Sequence, residues 1–290
     1  MASRNFSNAA PATGDRVEAA LALRACGRLR DALDLLTGPG DFSQDAYTLR
    51  GDLQLELGQF HEALGSYSTV IAFERHNMYA HHHLALCLCR LERWEPAAET
   101  FQKILAHDSY SDAAHIGLGD CLLHLNRPAE ALACFEACWS ESARLHALFG
   151  KAAAMQLLRR FDEAEALYER VLELNPESEE ALGNLIAMSV EGLDLARVQR
   201  HAQRQLDICP QSAIALQGLT LVAFERRDYA NAAGYLADLK ENAPDGGLPS
   251  NEAPGDAIEY RLSGEDVERL SRIRHSRSAA ASAAPGRWSY

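Results

Sequence analysis

The segment FDEAEALYERVLELNPESEEAL, residues 161–182, contains the pattern on which the fold of this chain depends. Its small and bulky apolar residues, such as Ala164 and Tyr168, recur every three or four positions, the spacing of one face of an α-helix. Pro176 then interrupts the pattern, because proline has no amide hydrogen and restricts the residue before it. The stretch therefore predicts one helix that ends before Pro176 and another that begins after it.

The same pattern returns along the chain with a period of about 34 residues. Equivalent positions hold a bulky residue, then a small residue, then an aromatic or apolar one: Phe60, Ala63 and Tyr67; Trp94, Ala97 and Phe101; Pro128, Ala131 and Phe135; Phe161, Ala164 and Tyr168; Leu195, Val198 and Ala202; Tyr229, Ala232 and Leu236. Each period is long enough for two helices of three to four turns with short turns between them. The turn signals are GQF (58–60), ERW (92–94), NRP (126–128), RRF (159–161) and RDY (227–229).

Small residues also recur in the first helix of each period, at Gly51, Ala85, Gly119 and Ala152. We expect them to let the paired helices approach closely while the large aromatics fill the neighbouring space. A single helical hairpin cannot bury its apolar face alone, so the pattern predicts a stack of hairpins stabilised by neighbouring copies.

These residues resemble the tetratricopeptide repeat family, whose pattern also matches LGQFHEALGSY (57–67) and LNRPAEALACF (125–135). The resemblance covers residues 13–246 and implies an all-α, right-handed superhelical solenoid of about seven helix-turn-helix repeats. The predicted repeats are 13–43, 44–77, 78–111, 112–144, 145–178, 179–212 and 213–246. The first is degenerate because GPGD shortens its second helix, and the sixth is the weakest internal copy.

The ends of the chain have a different composition. Residues 1–12 are predicted to be flexible, and 247–262 reads as a linker because of its Gly, Pro and Asn content. A short capped helix is predicted over 263–276, and it is interpreted either as a cap on the repeats or as a partner-binding segment. Residues 277–290 are predicted to be disordered.

Composition excludes several classes of protein. The 290 residues include 28 Lys and Arg against 41 Asp and Glu, for a net charge of −13, which argues against a nucleic-acid partner. No apolar run reaches the length of about 18 residues that a membrane span needs, so no membrane insertion is expected. Seven cysteines without a disulfide-framework spacing favour free thiols and a cytoplasmic protein. The oligomeric state is left open.

The family resemblance places the first helix of each repeat on a concave groove. It implies that the groove is lined by Asp45, Asp52, Glu56, Tyr79, His82, Leu86, Arg90, Asp120, Leu123, His124, Phe149, Glu180, Glu191, Phe224 and Glu225. The same register adds Thr48, Leu55, Cys89, Ile116, His146, Ala153, Gln156, Ala187, Val190, Gln217 and Leu221. Seven of these side chains are carboxylates and one is an arginine, so the expected ligand is a peptide or protein segment with basic and apolar residues.

Two clusters could suggest metal chemistry. His81, His82 and His83 are consecutive, and consecutive helical residues point about 100° apart, so they cannot share one metal; partial burial and surface exposure are the simpler interpretation. Cys121, Cys134 and Cys138 fall where the repeat requires small apolar residues, which favours core packing. We therefore expect no metal and no cofactor.

Motifs for catalysis are absent from the sequence: it contains no GxxxxGK[ST], GxSxG or HExxH. The sequence therefore predicts a non-enzyme, a scaffold or adaptor that binds a peptide or partner protein in its groove. The alternative is a regulatory or accessory subunit of a separate enzyme, such as a transferase or a secretion or assembly machine.

Overall fold

A computed structural model describes residues 13–37 and 43–242 of the chain. Within these ranges there are fourteen α-helices and no strand, which confirms the predicted all-α fold class. The chain divides between Leu158 and Arg159 into two compact units. The first unit contains α1 (Thr13–Ala25), α2 (Leu29–Thr37), α3 (Gln44–Glu56), α4 (Phe60–Phe73), α5 (Met78–Arg90), α6 (Trp94–His107), α7 (Asp112–His124), α8 (Pro128–Glu136) and α9 (Glu141–Leu157). The second contains α10 (Phe161–Leu174), α11 (Glu179–Glu191), α12 (Leu195–Ile208), α13 (Ala213–Glu225) and α14 (Tyr229–Asn242).

Polar caps set the starts of the odd-numbered helices. In five of them the residue before the helix accepts a hydrogen bond from the backbone N–H three positions later, at Ser43, Asn77, Ser111, Ser140 and Ser178. Such a cap satisfies one of the backbone donors that the first turn leaves unpaired. These polar loop residues therefore determine where the helices begin.

Left-handed residues end these helices and reverse the chain. The residue with positive φ is Gly27, Gly58, Glu92, Asn126, Arg159, Leu193 or Arg227, depending on the turn. At Gly58 the backbone N–H of the next residue, Gln59, donates to the carbonyl of Gln54 at 2.8 Å, which closes the last turn of the helix. From Gly58 onwards these positive-φ residues are spaced by 33 or 34 positions. The left-handed conformation therefore recurs with the same period as the sequence repeat.

The core of the first unit is built around buried aromatic rings of the even-numbered helices. Tyr67, Phe101 and Phe135 have no exposed surface. A Cβ atom at Gly51 would lie 2.8 Å from the Tyr67 ring, and one at Gly119 would lie 2.6 Å from the Phe135 ring. Those distances are shorter than van der Waals contact, so the close approach of the paired helices requires glycine at these two positions.

In the second unit, α10 keeps a buried aromatic, Tyr168, but the sixth repeat has small residues in the equivalent place. Val198 and Ala202 are fully buried, and a Cβ at Gly218 would lie 3.1 Å from the Val198 side chain. The sixth repeat departs from the family pattern at these residues and still packs as a helical hairpin of α11 and α12.

A ladder of charges joins α12 to α10. Its ion pairs are Arg197 with Asp162 and Glu165, Arg200 with Glu165, and Arg204 with Glu169. Each solvent-accessible pair contributes no more than about 1 kcal/mol, so the ladder supplements the small core of this repeat and does not replace it.

The observed helices differ from the predicted repeats in one place. The predicted boundary between 144 and 145 lies inside α9, which begins at Glu141 because Ser140 caps it. The preceding helix α8 has 9 residues, whereas α4 and α6 have 14, so the chain enters the next helix earlier. The predictions for 1–12, GPGD at 38–41, 247–262, 263–276 and 277–290 lie outside the described residues.

Candidate functional site

In the first unit, side chains of α1, α3, α4 and α5 meet around one carboxylate. Asp52 accepts hydrogen bonds from the hydroxyls of Tyr67 at 2.7 Å and Tyr79 at 3.0 Å, and it lies 3.6 Å from the Arg24 guanidinium. Arg24 also donates to Glu56 through Nε at 2.8 Å. Three predicted groove residues, Asp52, Glu56 and Tyr79, are thus brought together.

Two further contacts continue this surface across α5, α7 and α9. The sulfur atoms of Cys89 and Cys121 are 3.5 Å apart, and Asp120 Oδ2 lies 3.2 Å from His146 Nε2. Helical spacing of three or four extends the surface along each helix. We call it the first-helix face, and it comprises Arg24, Asp45, Asp52, Glu56, Tyr79, His83, Leu86, Cys89, Arg90, Asp120, Leu123, His146 and Phe149.

Aromatic rings give the first-helix face an apolar centre. The His83 ring stacks on Tyr67 with centroids 5.5 Å apart and lies 4.1 Å from the Tyr79 ring. Burial is the main cause that lowers the pKa of His83, and burial followed by the nearby Asp52 raises the pKa of Tyr79 to about 12. At neutral pH the histidine is therefore uncharged and the tyrosine keeps the proton that it donates to Asp52.

Charge on the first-helix face is partly neutralised by the protein itself. The face has four carboxylates (Asp45, Asp52, Glu56 and Asp120) and two guanidinium groups, Arg24 and Arg90.

The sequence register missed two residues of the first-helix face, Arg24 and His83. Their signals were present, because Arg24 lies in the last turn of a helix equivalent to the others and His83 follows Tyr79 by four residues.

Two histidines of the predicted groove lie off the first-helix face, and one aspartate, Asp45, lies at one end of that face. The His82 ring meets Phe101 edge-on at 5.8 Å, so it points towards the second helix of its hairpin. His124, the last residue of α7, stacks flat on Trp94, the first residue of α6, with ring centroids 3.8 Å apart. Asp45 is exposed in the first turn of α3, two turns before Asp52.

The predicted residues of the second unit do not form a comparable cluster. Glu180 and Glu225 are exposed at opposite ends of their helices, Glu191 forms an ion pair with Arg159, and Phe224 packs edge-on against Tyr229 at 5.8 Å. Three positions from the same register are wrong as surface residues: Val190, Gln217 and Leu221 are 1%, 5% and 1% exposed. They are buried because α11 and α13 are packed on more of their circumference than the family register implies.

The clusters that suggested metal chemistry are dispersed. Across 13–37 and 43–242, no three or more His, Cys, Asp and Glu side chains are grouped to hold a metal ion. His81 Nε2 lies 3.1 Å from the backbone carbonyl of Arg75, away from His82 and His83. Burial raises the pKa of Cys134, and raises that of Cys138 to about 11, as expected of thiols used in packing.

Of the fourteen helices in residues 13–37 and 43–242, none combines the length and the apolar character that crossing a bilayer requires.

Two family models match the chain. The model described as "Anaphase-promoting complex, cyclosome, subunit 3" matches residues 56–138, and the model described as "Tetratricopeptide repeat" matches residues 146–178. No curated protein matches the chain.

Solved structures share the fold at low sequence identity. A tetratricopeptide repeat protein from Parabacteroides merdae is 16% identical with a TM-score of 0.66, over 90% of this chain and 98% of its own. PilW, a type IV pilus biogenesis factor, is 20% identical with a TM-score of 0.64, over 77% of this chain and 100% of its own. The pilF protein of Pseudomonas aeruginosa is 20% identical with a TM-score of 0.58, over 70% and 92%. At these identities the likeness concerns the fold alone.

Proposed function

This chain belongs to the tetratricopeptide repeat family, and from that premise we propose that it is a non-catalytic scaffold that binds a peptide segment of a partner protein on the first-helix face. The observation that carries the proposal is the chain of contacts from Arg24 through Asp52 to Tyr79, which links α1, α3 and α5. A preformed surface of this kind binds without first having to order its own side chains.

The chemistry of the first-helix face favours a ligand with apolar and basic residues. Tyr79 is 48% exposed, and Leu86, Leu123 and Phe149 are partly exposed, so apolar side chains of a peptide would find matching surface. Carboxylates outnumber guanidinium groups on the face, so a lysine or arginine in the ligand would be attracted. Asp120 is the best candidate for that contact, because it is 42% exposed and its neighbour His146 is a weaker competitor than an arginine.

A random peptide library displayed on phage tests the proposal. We expect selection on the immobilised protein to enrich peptides that combine lysine or arginine with apolar residues. Synthetic copies of those peptides should then bind the purified protein, with affinity measured by fluorescence anisotropy. Enrichment of acidic peptides, or no enrichment at all, would contradict the proposed ligand chemistry.

Variants locate the binding surface. Tyr79→Ala and Asp120→Lys should each weaken binding of the selected peptides, because they remove an apolar contact and reverse a charge on the first-helix face. Glu99→Lys is the matched control, since it makes the same charge change at an exposed position of the second helix α6. Equal affinity for Asp120→Lys and Glu99→Lys would place the ligand elsewhere.

The alternative function is an accessory subunit of a separate enzyme or assembly machine. It requires the same first-helix face and differs only in the partner. PilW and pilF share the fold at 20% identity, and this likeness does not assign the chain to pilus assembly.

We propose the cytoplasm as the location of the protein on the basis of its cysteine usage. The net charge of −13 argues against a nucleic-acid partner.

A further inference from the structure

Two cysteines on consecutive first helices lie unusually close together. Cys89 is in the last turn of α5 and Cys121 is near the end of α7, 32 positions later, and their sulfur atoms are 3.5 Å apart. Cys121 is fully buried, whereas Cys89 is partly exposed on the first-helix face beside Arg90. A reagent in solution can therefore reach the Cys89 sulfur, whereas the Cys121 sulfur is shielded from solvent.

The two thiols are chemically unequal. The hydrogen bond between the two sulfurs lowers the pKa of Cys89, and the same bond together with burial raises the pKa of Cys121. A thiolate is the form that reacts with an oxidant, so Cys89 is the sulfur that reacts first.

We propose that Cys89 and Cys121 are an oxidation site at which a hydroperoxide generates an intramolecular disulfide, joining α5 to α7. The sulfur atoms must approach by about 1.5 Å to reach the bond length of about 2.05 Å.

The reaction takes two steps and balances with hydrogen peroxide as the oxidant. The Cys89 thiolate attacks one peroxide oxygen, the O–O bond breaks, and hydroxide leaves to give a sulfenic acid at Cys89. The Cys121 sulfur then attacks the Cys89 sulfur, the S–O bond breaks and the S–S bond forms, and the hydroxyl group leaves with the Cys121 thiol proton as water. The sum is two thiols and one peroxide giving one disulfide and two waters.

Other cysteines of the first unit are poorer partners. Cys87 is fully buried, and burial raises its pKa to about 11. Cys134 and Cys138 are four residues apart. The Cys138 thiol, however, donates to backbone carbonyl oxygens, with Sγ 3.9 Å from that of Asp112 and 3.7 Å from that of Cys134. These thiols should remain reduced under conditions that oxidise the proposed pair.

Mass spectrometry of the purified full chain tests the proposal. The reduced protein is treated with a small molar excess of hydrogen peroxide, and the remaining thiols are blocked with iodoacetamide. We expect two of the seven thiols to escape alkylation, a loss of two hydrogens from the chain, and fragment ions that link Cys89 to Cys121. Dithiothreitol should restore both thiols.

Variants separate this disulfide from general oxidation. Cys89→Ser and Cys121→Ala should each abolish the cross-link, whereas Cys134→Ala, the matched control, should leave it intact; circular dichroism checks that each variant remains helical. The proposal is overturned if both thiols stay free, if Cys89 is oxidised to a sulfinic acid with Cys121 untouched, or if the linked peptides involve another cysteine or a second chain.

Discussion

At the scale of single residues, glycine and the buried aromatics are matched pairs. Gly119 lies against the Phe135 ring so closely that no Cβ atom fits without movement of the ring, whereas Gly65 has open space around its Cα. Both glycines are within helices, where alanine is otherwise preferred by about 0.5–1 kcal/mol. Replacing glycine by alanine is therefore expected to change the free energy of unfolding in opposite directions at the two positions.

We expect Gly119→Ala to lower the free energy of unfolding by about 1–3 kcal/mol, because overpacking displaces the buried ring. Gly65→Ala should raise it by about 0.5–1 kcal/mol, because the unfolded chain loses conformational freedom. Urea denaturation followed by circular dichroism measures both changes. The same sign for the two variants would show that the packing of Gly119 against Phe135 has been misassigned.

His201 gives the second prediction at this scale. It is 1% exposed, with Glu165 at 3.6 Å, Glu169 at 3.9 Å and Arg200 beside it. Burial, and then Arg200, lower its pKa below the value of 6.5, against the opposing effect of the two glutamates. The unfolded chain therefore binds the proton more readily, so this residue contributes stability above about pH 6.5 that is lost as the pH falls towards the folded pKa.

We expect the melting temperature of the wild type to fall more steeply than that of His201→Gln between about pH 7 and pH 5. The comparison with the variant cancels the contribution of other titrating groups. Parallel curves for the two proteins would mean that the buried imidazole is not linked to folding.

At the scale of helices, one backbone conformation recurs while the residue that adopts it changes. The turn after α3 has Gly58 with φ of 74°, and the equivalent turn after α5 has Glu92 with φ of 56°. A residue with a Cβ atom pays about 1–2 kcal/mol to be left-handed, and glycine does not. The turn signals in the sequence located these reversals, but only the backbone reveals which residue is strained.

Exchanging the residues tests this assignment. Glu92→Gly should stabilise the protein by about 0.5–1 kcal/mol, and Gly58→Glu should destabilise it by about 1 kcal/mol. Thermal unfolding of both variants against the wild type gives the two differences. If Glu92→Gly were destabilising, the side chain of Glu92 would have to make a contact that outweighs the backbone strain.

At the scale of the whole molecule, the net charge of −13 acts together with the local charge of the first-helix face. Arg24 already neutralises much of the negative charge of Asp52 and Glu56, so the remaining attraction for a basic ligand is modest. The charges that cause this attraction lie close to solvent. Interactions of that kind are screened when the ionic strength rises, because the Debye length falls from about 10 Å at 0.1 M salt to about 3 Å at 1 M.

We expect the affinity for a selected lysine-rich peptide to fall several-fold between about 0.05 M and 0.5 M salt. The affinity of Asp120→Lys should be lower at low salt and should change less. Anisotropy titrations at four salt concentrations give the slope for each protein. A salt-independent affinity in the wild type would mean that apolar contacts alone determine binding.

The sequence alone determined the helical class, the period of about 34 residues and the position of most turns, because these depend on side-chain spacing and on residues a few positions apart. Only the tertiary structure decided that Arg24 joins Asp52 and Glu56, that Val190 and Leu221 are buried, and that Cys89 faces Cys121. The physical reason is that these outcomes depend on the rotation and packing of helices about 30 residues apart. A difference of a fraction of a turn decides which side chains meet, and no local pattern encodes it.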